Sequence, residues 1–351
     1  MSLVATLALE FREKSPRFDS AELRVTSAGV HNAFMRQTQG AQSFITPQLA
    51  QRAFSSAGNT LKIPVINYKD VTVRSTRPLT IAADENTSAF YTVVFTTLAY
   101  GFAMYPAQHY NNDVDMQLDF DKKYQAMIVK MKTTLEGLAV TALDAAKTQV
   151  IGEVTGDNNT FASNVVSETT IADLKSAYIV HDLDPMMQSN DFDLFGGDIV
   201  GNQGLKAITN RMEGFGEYNQ ENKTLPFADK FFGFSNSISN AALKSATGYA
   251  ITDGTLGMLT RVEPDAIMGT KLGTSHEWGT VEIPLLGINS GYYSYEAAVD
   301  ASSVAGGATA HLTRTGARFV DFAFDVAYVV KYNSDRSTIP SGIIKFDVQT
   351  A

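Results

Sequence analysis

DVDMQLDFDKKYQAMIVKMKTTLEGLAVTALDAAKTQV, residues 113–150, is the stretch on which the fold turns. Its apolar residues fall at Phe120, Tyr124, Met127, Ile128, Met131, Leu135, Leu138, Ala142, Leu143, Ala146 and Val150. Steps of three and four place them on one stripe of a single helix. At about 1.5 Å per residue that helix would be roughly 50 Å long, whereas a compact globule of this chain length has a radius of gyration of about 20 Å. A helix that crosses the whole molecule implies an elongated body whose edges are covered by neighbouring copies, so assembly rather than catalysis is the first expectation. Asp113, Asp115, Asp119 and Asp121 crowd its first turns, where carboxylates complement the helix dipole and cap free N–H groups. A calcium site is the competing reading, but the glycine and terminal glutamate of an EF-hand loop are missing.

Two long strands flank the helix in the pattern. Phe90–Tyr105 reads as one extended strand, in which Leu98, Tyr100, Phe102 and Met104 are bulky while Ala99, Gly101 and Ala103 are small. In Arg318–Tyr332, residues Val320, Phe322, Phe324, Val326, Tyr328, Val330 and Tyr332 line one face, and Asp321, Ala323, Asp325 and Ala327 the other. Such a strand would be roughly 50 Å long, a match for the helix, so the three are expected to lie together.

The rest of the chain divides by composition. Residues 1–58 are polar and weakly periodic and read as an N-terminal arm, with RFDSAELRV and SFITPQLAQRAF as short helices; a small helical subdomain is the alternative. Residues 59–89 hold two β-type runs, LKIPVI and VTVRS, interrupted by Pro64 and Pro78. Proline in a strand belongs at an edge or bulge, so this is read as an extended β-hairpin loop reaching up to about 50 Å; a hairpin lying on its own domain is the alternative. Residues 90–150 form a first domain with the long helix, 151–310 a mixed α/β domain, and 311–351 return to the first. Within 151–310, TTIADLKSAYIV reads as a helix capped by Thr170, and DFDLFGGDIVGNQGLKAITNRMEGFG as a strand, a glycine turn and a helix. KFFGFSNSI, GTLGMLTRV and EIPLLGINSGYYSYEAAVD supply further strands. The fold class is α+β.

Composition narrows the function. The net charge is −9, which argues against a basic face that grips nucleic acid. Between Ile151 and Lys230 there are 13 acidic and 5 basic residues, a balance of −8 that leaves −1 elsewhere. Charged residues make up only 19%, compatible with a surface much of which is interface and equally with a plain neutral polar surface. There is no cysteine, which excludes disulfides, thiolate nucleophiles and Cys-based metal sites. The apolar start, Leu3–Leu9, has no basic region before it and runs into EFREKSPRFD, so it is not read as a signal peptide. No run approaches the roughly 18 apolar residues of a membrane span.

The search for chemistry finds little. His31, His109, His181, His276 and His311 stand singly, without zinc-binding spacing. Neither a phosphate-cradling loop nor a nucleophile elbow is present. Gly196, Gly197, Gly201 and Gly204 fit a tight strand-to-helix turn better than a dinucleotide fingerprint. Asp191, Asp193 and Asp198 have no partner in the sequence and read as solvated turn residues. Three glycosylation acceptor patterns, at Asn86, Asn158 and Asn222, have no meaning without a secretory signal. No catalytic, cofactor-binding or metal-binding residue is assigned.

The order of parts resembles the major capsid proteins of tailed bacteriophages, the Hong Kong 97-like fold. The resemblance is carried by the arm, the loop at LKIPVINYKDVTVRS, the spine helix DVDMQLDFDKKYQAMIVKMKTTLEGLAVTALDAA, the central α/β stretch and the closing strand RFVDFAFDVAYVVKY. GTLGMLTRVEPDAIMG and SDRSTIPSGIIKF also resemble capsid-protein segments. It spans nearly the whole chain and is architectural. It implies a peripheral domain with the spine helix, an axial domain around five- and six-fold centres, and an arm and loop that reach adjacent subunits. The implied function is self-assembly through hexamers and pentamers into an icosahedral head around double-stranded DNA, without sequence-specific binding.

The implied assembly interface in the loop is Lys62, Tyr68, Lys69 and Arg74. Lys62 and Lys69 also lie where some relatives form a covalent Lys–Asn link, although solvated lysines are the simpler reading. Scaffolding, portal or decoration proteins are further partners, and no fused scaffolding segment is seen. The implied location is the virion, assembled in the host cytoplasm. An encapsulin-type nanocompartment shares the fold and is the alternative. A soluble α/β hydrolase would need a set such as Ser235, His276 and Asp265, whose spacing nothing supports.

Overall fold

The computed structural model describes residues 3–14, 29–41, 43–55, 58–66, 75–76, 88–105, 113–146, 154–155, 160–162, 165–168, 192–196, 224–227, 230–235, 237–238, 247–262, 276–284, 286–299, 315–331 and 342–350. In chain order these give helices α1 (Leu3–Lys14), α2 (Gly29–Gln39) and α3 (Pro47–Ser55), then strands β1 (Thr60–Ile66), β2 (Ser88–Val94) and β3 (Thr96–Met104). The long helix follows as α4 (Asp113–Ala146), 34 residues without a break. Twelve further strands complete the described chain: β4 (Val154–Thr155), β5 (Thr160–Ala162), β6 (Val165–Glu168), β7 (Phe192–Gly196), β8 (Thr224–Phe227), β9 (Lys230–Phe234), β10 (Thr247–Thr252), β11 (Leu256–Arg261), β12 (His276–Ile283), β13 (Ile288–Val299), β14 (Thr315–Val330) and β15 (Ile343–Thr350). The class is α+β.

The helix lies on a five-stranded sheet organised by β14. One edge of β14 pairs with β3, from Arg318↔Met104 to Val326↔Thr96. The other edge is shared by two strands in succession, β13 along residues 315–323 and β11 along 325–330. Serving three partners explains its length of 16 residues. The period-two alternation sends Val320, Phe322, Phe324 and Val326 toward Phe120, Tyr124, Met127, Ile128, Met131 and Leu135 of α4. Phe120 stacks on Tyr124, whose ring lies 5.3 Å from that of Phe322. The hairpin between β12 and β13 turns at Gly287, whose φ of +60° suits a residue without a side chain.

Phe90–Tyr105 is not one strand. Phe95 is a break at which the chain changes sheets: β2 pairs with β1, β3 with β14. The period slips there: Val93 and Phe95 are buried at odd positions and Leu98 and Met104 at even ones, with Thr96 and Thr97 both exposed between them. The Asp119 and Asp121 side chains are not free end caps either. Asp119 pairs with Lys123 at 2.7 Å, and Asp121 is buried and accepts from Gln117.

The N-terminal residues pack on the chain's own body, which corrects the arm reading for the described part. Val4, Leu7, Ala8 and Phe11 of α1 are buried against α4 and β12, and Phe11 meets Tyr124 edge-on at 5.0 Å. Val30, Ala33 and Phe34 of α2 pack with Ala139, Leu143, Tyr249, Leu256 and Val330, where α4 meets both large sheets. The α2 helix also covers a strand edge. Gln37 Oε1 accepts from the N–H groups of Thr255 and Leu256, and Thr38 Oγ1 from that of Met258, so backbone donors at the start of β11 are satisfied without another strand.

A buried polar cluster locks α2 to α4. Glu136, 1% exposed, accepts from the Val30 N–H at 3.1 Å and the His31 N–H at 2.9 Å, satisfying two of the otherwise unpaired donors at the α2 N-terminus. His31 Nδ1 lies 2.7 Å from the Tyr328 hydroxyl on β14. Burial pushes the Glu136 carboxyl up to about 6, although hydrogen bonds from Ser235, His31 and Val30 and the Lys132 charge pull the other way. Burial, with the Lys132 charge, pulls the His31 imidazole down to about 4.

The second large sheet has eight strands in the order β4-β5-β6-β15-β10-β7-β9-β8. It is tied to α4 through Asp144, whose Oδ1 accepts from the Tyr249 hydroxyl at 2.9 Å and pairs with Lys345 at 3.1 Å. Pairing also redistributes the domains expected from sequence. β11, β12 and β13 fall within 151–310 yet complete the sheet under α4, while β15 leaves 311–351 to join the eight-stranded sheet. Long-range pairing, which local pattern does not encode, decides both. The helices expected near Thr170 and Leu205 lie outside the described residues.

Candidate assembly surface

β1 and β2 form an antiparallel stem in register from Thr60↔Val94 to Ile66↔Ser88. The partner of LKIPVI is therefore SAFYTVV; VTVRS, expected to pair with it, lies in the segment between the two strands. One face of the stem is anchored. Leu61, Ile63 and Val93 are buried with Phe95, with Leu49 and Ala53 of α3, and with Leu259, Ala327 and Val329 of the five-stranded sheet. The stem thus covers part of the sheet face opposite α4.

A charged joint fixes the base of the stem where the chain changes sheets. Asp325 receives Arg261 Nε at 2.7 Å and the Thr97 hydroxyl at 2.6 Å. Arg261 also donates to the Gly58 carbonyl at 2.6 Å and sets its guanidinium 4.3 Å from the centre of the Phe95 ring. The Phe95 N–H donates to the Asn59 carbonyl at 2.9 Å. Both ionic side chains are about nine-tenths buried, so each needs the other. Sequence reasoning missed this joint; a signal was available in Arg261, a charge closing an otherwise apolar strand.

The other face of the stem is bare. Phe90 is 74% and Val94 59% exposed, Pro64 is exposed beside Phe90, and Lys62 is exposed between them. Of the expected interface residues, Lys62 is on this face, and Tyr68, Lys69 and Arg74 lie outside the described residues.

The sheet face opposite α4 has a second half, which no described element covers. Here Ala99 and Gly101 are exposed and Ala103, Ala323 and Asp321 half-buried. Beside them His276, Trp278, Tyr293, Tyr295 and Phe319 form a ladder of rings across β12, β13 and β14, with centroids 4.4 to 5.7 Å apart. Partial burial pushes the Asp321 carboxyl above its usual range, the Phe322 N–H opposing.

Ser235 and His276 are not brought together as a catalytic pair. Ser235 is buried beside Glu136, His276 lies flat against Tyr293 and Tyr295 in the other sheet, and Asp265 is outside the described residues. Among the described residues no group of three or more His, Asp or Glu is placed to hold a metal ion, and no helix is long and apolar enough to cross a membrane.

No protein-family model matches the chain, and no curated protein matches it. Among solved structures, the cyanophage Pam1 capsid asymmetric unit aligns over 85% of this chain and 87% of that chain, at 12% identity and a TM-score of 0.45. The asymmetric unit of the bacteriophage PhiM1 mature capsid aligns over 85% and 84%, at 8% identity and a TM-score of 0.43. The capsid of Myoviridae phage XM1 aligns over 90% and 96%, at 11% identity and a TM-score of 0.39. With every score below 0.5, the reading of this chain rests on its own elements.

Proposed function

We propose that this chain is a shell subunit, a major capsid protein of the tailed-phage kind, which assembles with copies of itself through hexamers and pentamers into an icosahedral head around double-stranded DNA. The role is structural rather than enzymatic. One observation carries the reading: the stem is anchored firmly on one face and presents Pro64, Phe90 and Val94 to the outside on the other. A held-out apolar strip is a place for a partner, and the long helix gives the subunit a stiff frame on which to hold it. Lys62, Tyr68, Lys69 and Arg74 are proposed as interface residues, Lys62 from the stem face itself. The net charge of −9 suits a wall that encloses DNA without trapping it through phosphate contacts. The virion is the proposed location, with assembly in the host cytoplasm and scaffolding, portal or decoration proteins as further partners.

The test is direct. Purified chain is expected to form rings or closed shells in negative-stain images, and Phe90→Glu, at a position with little to lose in the fold, is expected to leave dispersed, folded subunits. A wild-type chain that stays monomeric at all concentrations up to the millimolar range would refute the reading.

A further inference from the structure

The outer edge of β3 is open over a short, bounded length. Two bonds that leave the side of β3 away from β14 show which residues face outward. The Phe95 N–H, just before the strand, donates to the Asn59 carbonyl at 2.9 Å, and the Ala103 carbonyl near its end accepts from Lys123 Nζ at 2.9 Å. Successive residues of a strand direct their backbone groups to alternate sides, so Thr97, Ala99 and Gly101, in step with Phe95 and Ala103, present N–H and C=O outward. All three are exposed, and no described strand pairs with that edge. Edge strands are usually blunted by charge, proline or a cover. Thr96–Met104, TTLAYGFAM, has neither charge nor proline.

We propose that this edge is a strand-addition site filled by β12 of a second copy, so that the sheet under α4 runs on from one subunit into the next. This rests on the assembly reading above and deepens it. Among the described strands β12 is the opposite margin of the same sheet. Each pairing from β3 through β14 and β13 to β12 is antiparallel, so β12 runs opposite to β3, and a copy set alongside presents it in the antiparallel sense of the rest of the sheet. Side-chain size matches as well. The registers place His276, Tyr295, Phe319 and Ala103 in one cross-strand row and Trp278, Tyr293, Asp321 and Gly101 in the next, so the rings of β12 and the small residues of β3 share one face at opposite margins. In the continued sheet His276 and Trp278 stand beside Ala99, Gly101 and Ala103, large against small.

The occupant is a second copy because the chain's own β12 is held two strands away, beyond β14 and β13. The two margins differ, which makes the contact head-to-tail: it forms rings when the rotation closes and filaments when it does not. Asn59 and Lys123 close the ends of the open stretch, which limits the added strand to the residues that face Thr97, Ala99 and Gly101.

Amide hydrogen exchange on the wild type reads the pairing directly. Between dispersed subunits and assembled particles, exchange at Thr97, Ala99 and Gly101 should slow about tenfold or more, and exchange in β12 should slow with it. Ala99→Pro removes one outward N–H and no bond of the ladder with β14. The variant should therefore stay folded by circular dichroism while the concentration needed for assembly rises about tenfold, the worth of one lost interface hydrogen bond. Ala99 is chosen over Gly101 because a Cβ at 101 would come within 3.1 Å of Asp321 Oδ1. Equal exchange of β3 in both states, protection of β3 without β12, or a folded Ala99→Pro that assembles like wild type would each overturn the pairing and leave the assembly reading standing. Where the variant does not fold, the wild-type exchange decides alone. A wild type that never assembles would remove both.

Discussion

Glu136→Gln is expected to steepen the loss of stability on acidification. The Glu136 carboxyl titrates near 6 in the fold against 4.5 ordinarily, a difference worth about 2 kcal/mol at 1.36 kcal/mol per pH unit. The folded state holds this proton more tightly, so its contribution is complete below pH 4.5 and is lost as pH rises through 6. His31 has the opposite sense. Its imidazole drops from 6.5 to about 4, so about 3 kcal/mol of stability, present above pH 6.5, is lost as pH falls through 4. Between pH 7 and 4 the two nearly cancel in the wild type, leaving a net loss of about 1 kcal/mol. The groups facing the pair are Lys132 from α4, Tyr328 from β14 and Ser235 beyond β9, and all three remain in the variant. Glutamine keeps an acceptor for one of the two α2 N–H groups but takes up no proton, so the variant loses the full contribution of about 3 kcal/mol. Urea unfolding of dispersed subunits at pH 7, 6, 5 and 4 measures the difference, in which all other titrations cancel. The wild type should gain on the variant by about 2 kcal/mol between pH 7 and 4. A difference flat to within about 0.5 kcal/mol would mean that Glu136 titrates as a solvated carboxylate and is not the buried acceptor that holds α2.

Arg261→Ala strands the buried Asp325 carboxylate and should cost about 3–5 kcal/mol, read as a lowered unfolding midpoint. Tyr124→Phe should be neutral or stabilising by about 1 kcal/mol, because the buried Tyr124 hydroxyl has no hydrogen-bond partner among the described residues and burial already disfavours its ionisation. Phe11→Ala should cost about 3–5 kcal/mol and make α1 the first site of limited proteolysis, since Phe11 is its deepest contact with Tyr124.

The helix α4 and the two-faced strands β3 and β14 were legible because each is long and each carries one uninterrupted period. Local pattern was weaker where the decisive contact is distant. Nothing within LKIPVI distinguishes SAFYTVV from the nearer VTVRS as its partner, and nothing within residues 256–299 says which sheet will take them. The α1 helix was legible in principle, since Val4, Leu7, Ala8 and Phe11 follow helical spacing; the charged residues after Leu9 drew the reading toward an arm. Lys132 and Glu136 sit one turn apart beside Met131 and Leu135, within the apolar stripe, a misplaced pair of charges that marked the buried cluster before any coordinates. Of the surface, Lys62 alone could be placed. Asp321 was seen only as one residue of a small-residue face, because its relation to Gly101 depends on register.

The anchored joint and the proposed contact depend on each other physically. The outward stem face, three cross-strand pairs from Thr60–Val94 to Pro64–Phe90, is well below the roughly 1,600 Å² of a standard stable interface, so one stem contact alone would be weak. It becomes sufficient in a closed array, where each subunit is held by several such contacts at once. Weak contacts are sensitive to the entropy of ordering, which costs about 0.5–1.5 kcal/mol for each flexible side chain immobilised. Arg261, Asp325 and Phe95 fix the base of the stem, and its buried inner face fixes the strands, before any partner arrives. Little beyond Lys62 then remains to be ordered. Loosening the joint should therefore weaken assembly by more than its effect on folding alone, although neither Arg261 nor Asp325 belongs to the exposed stem face.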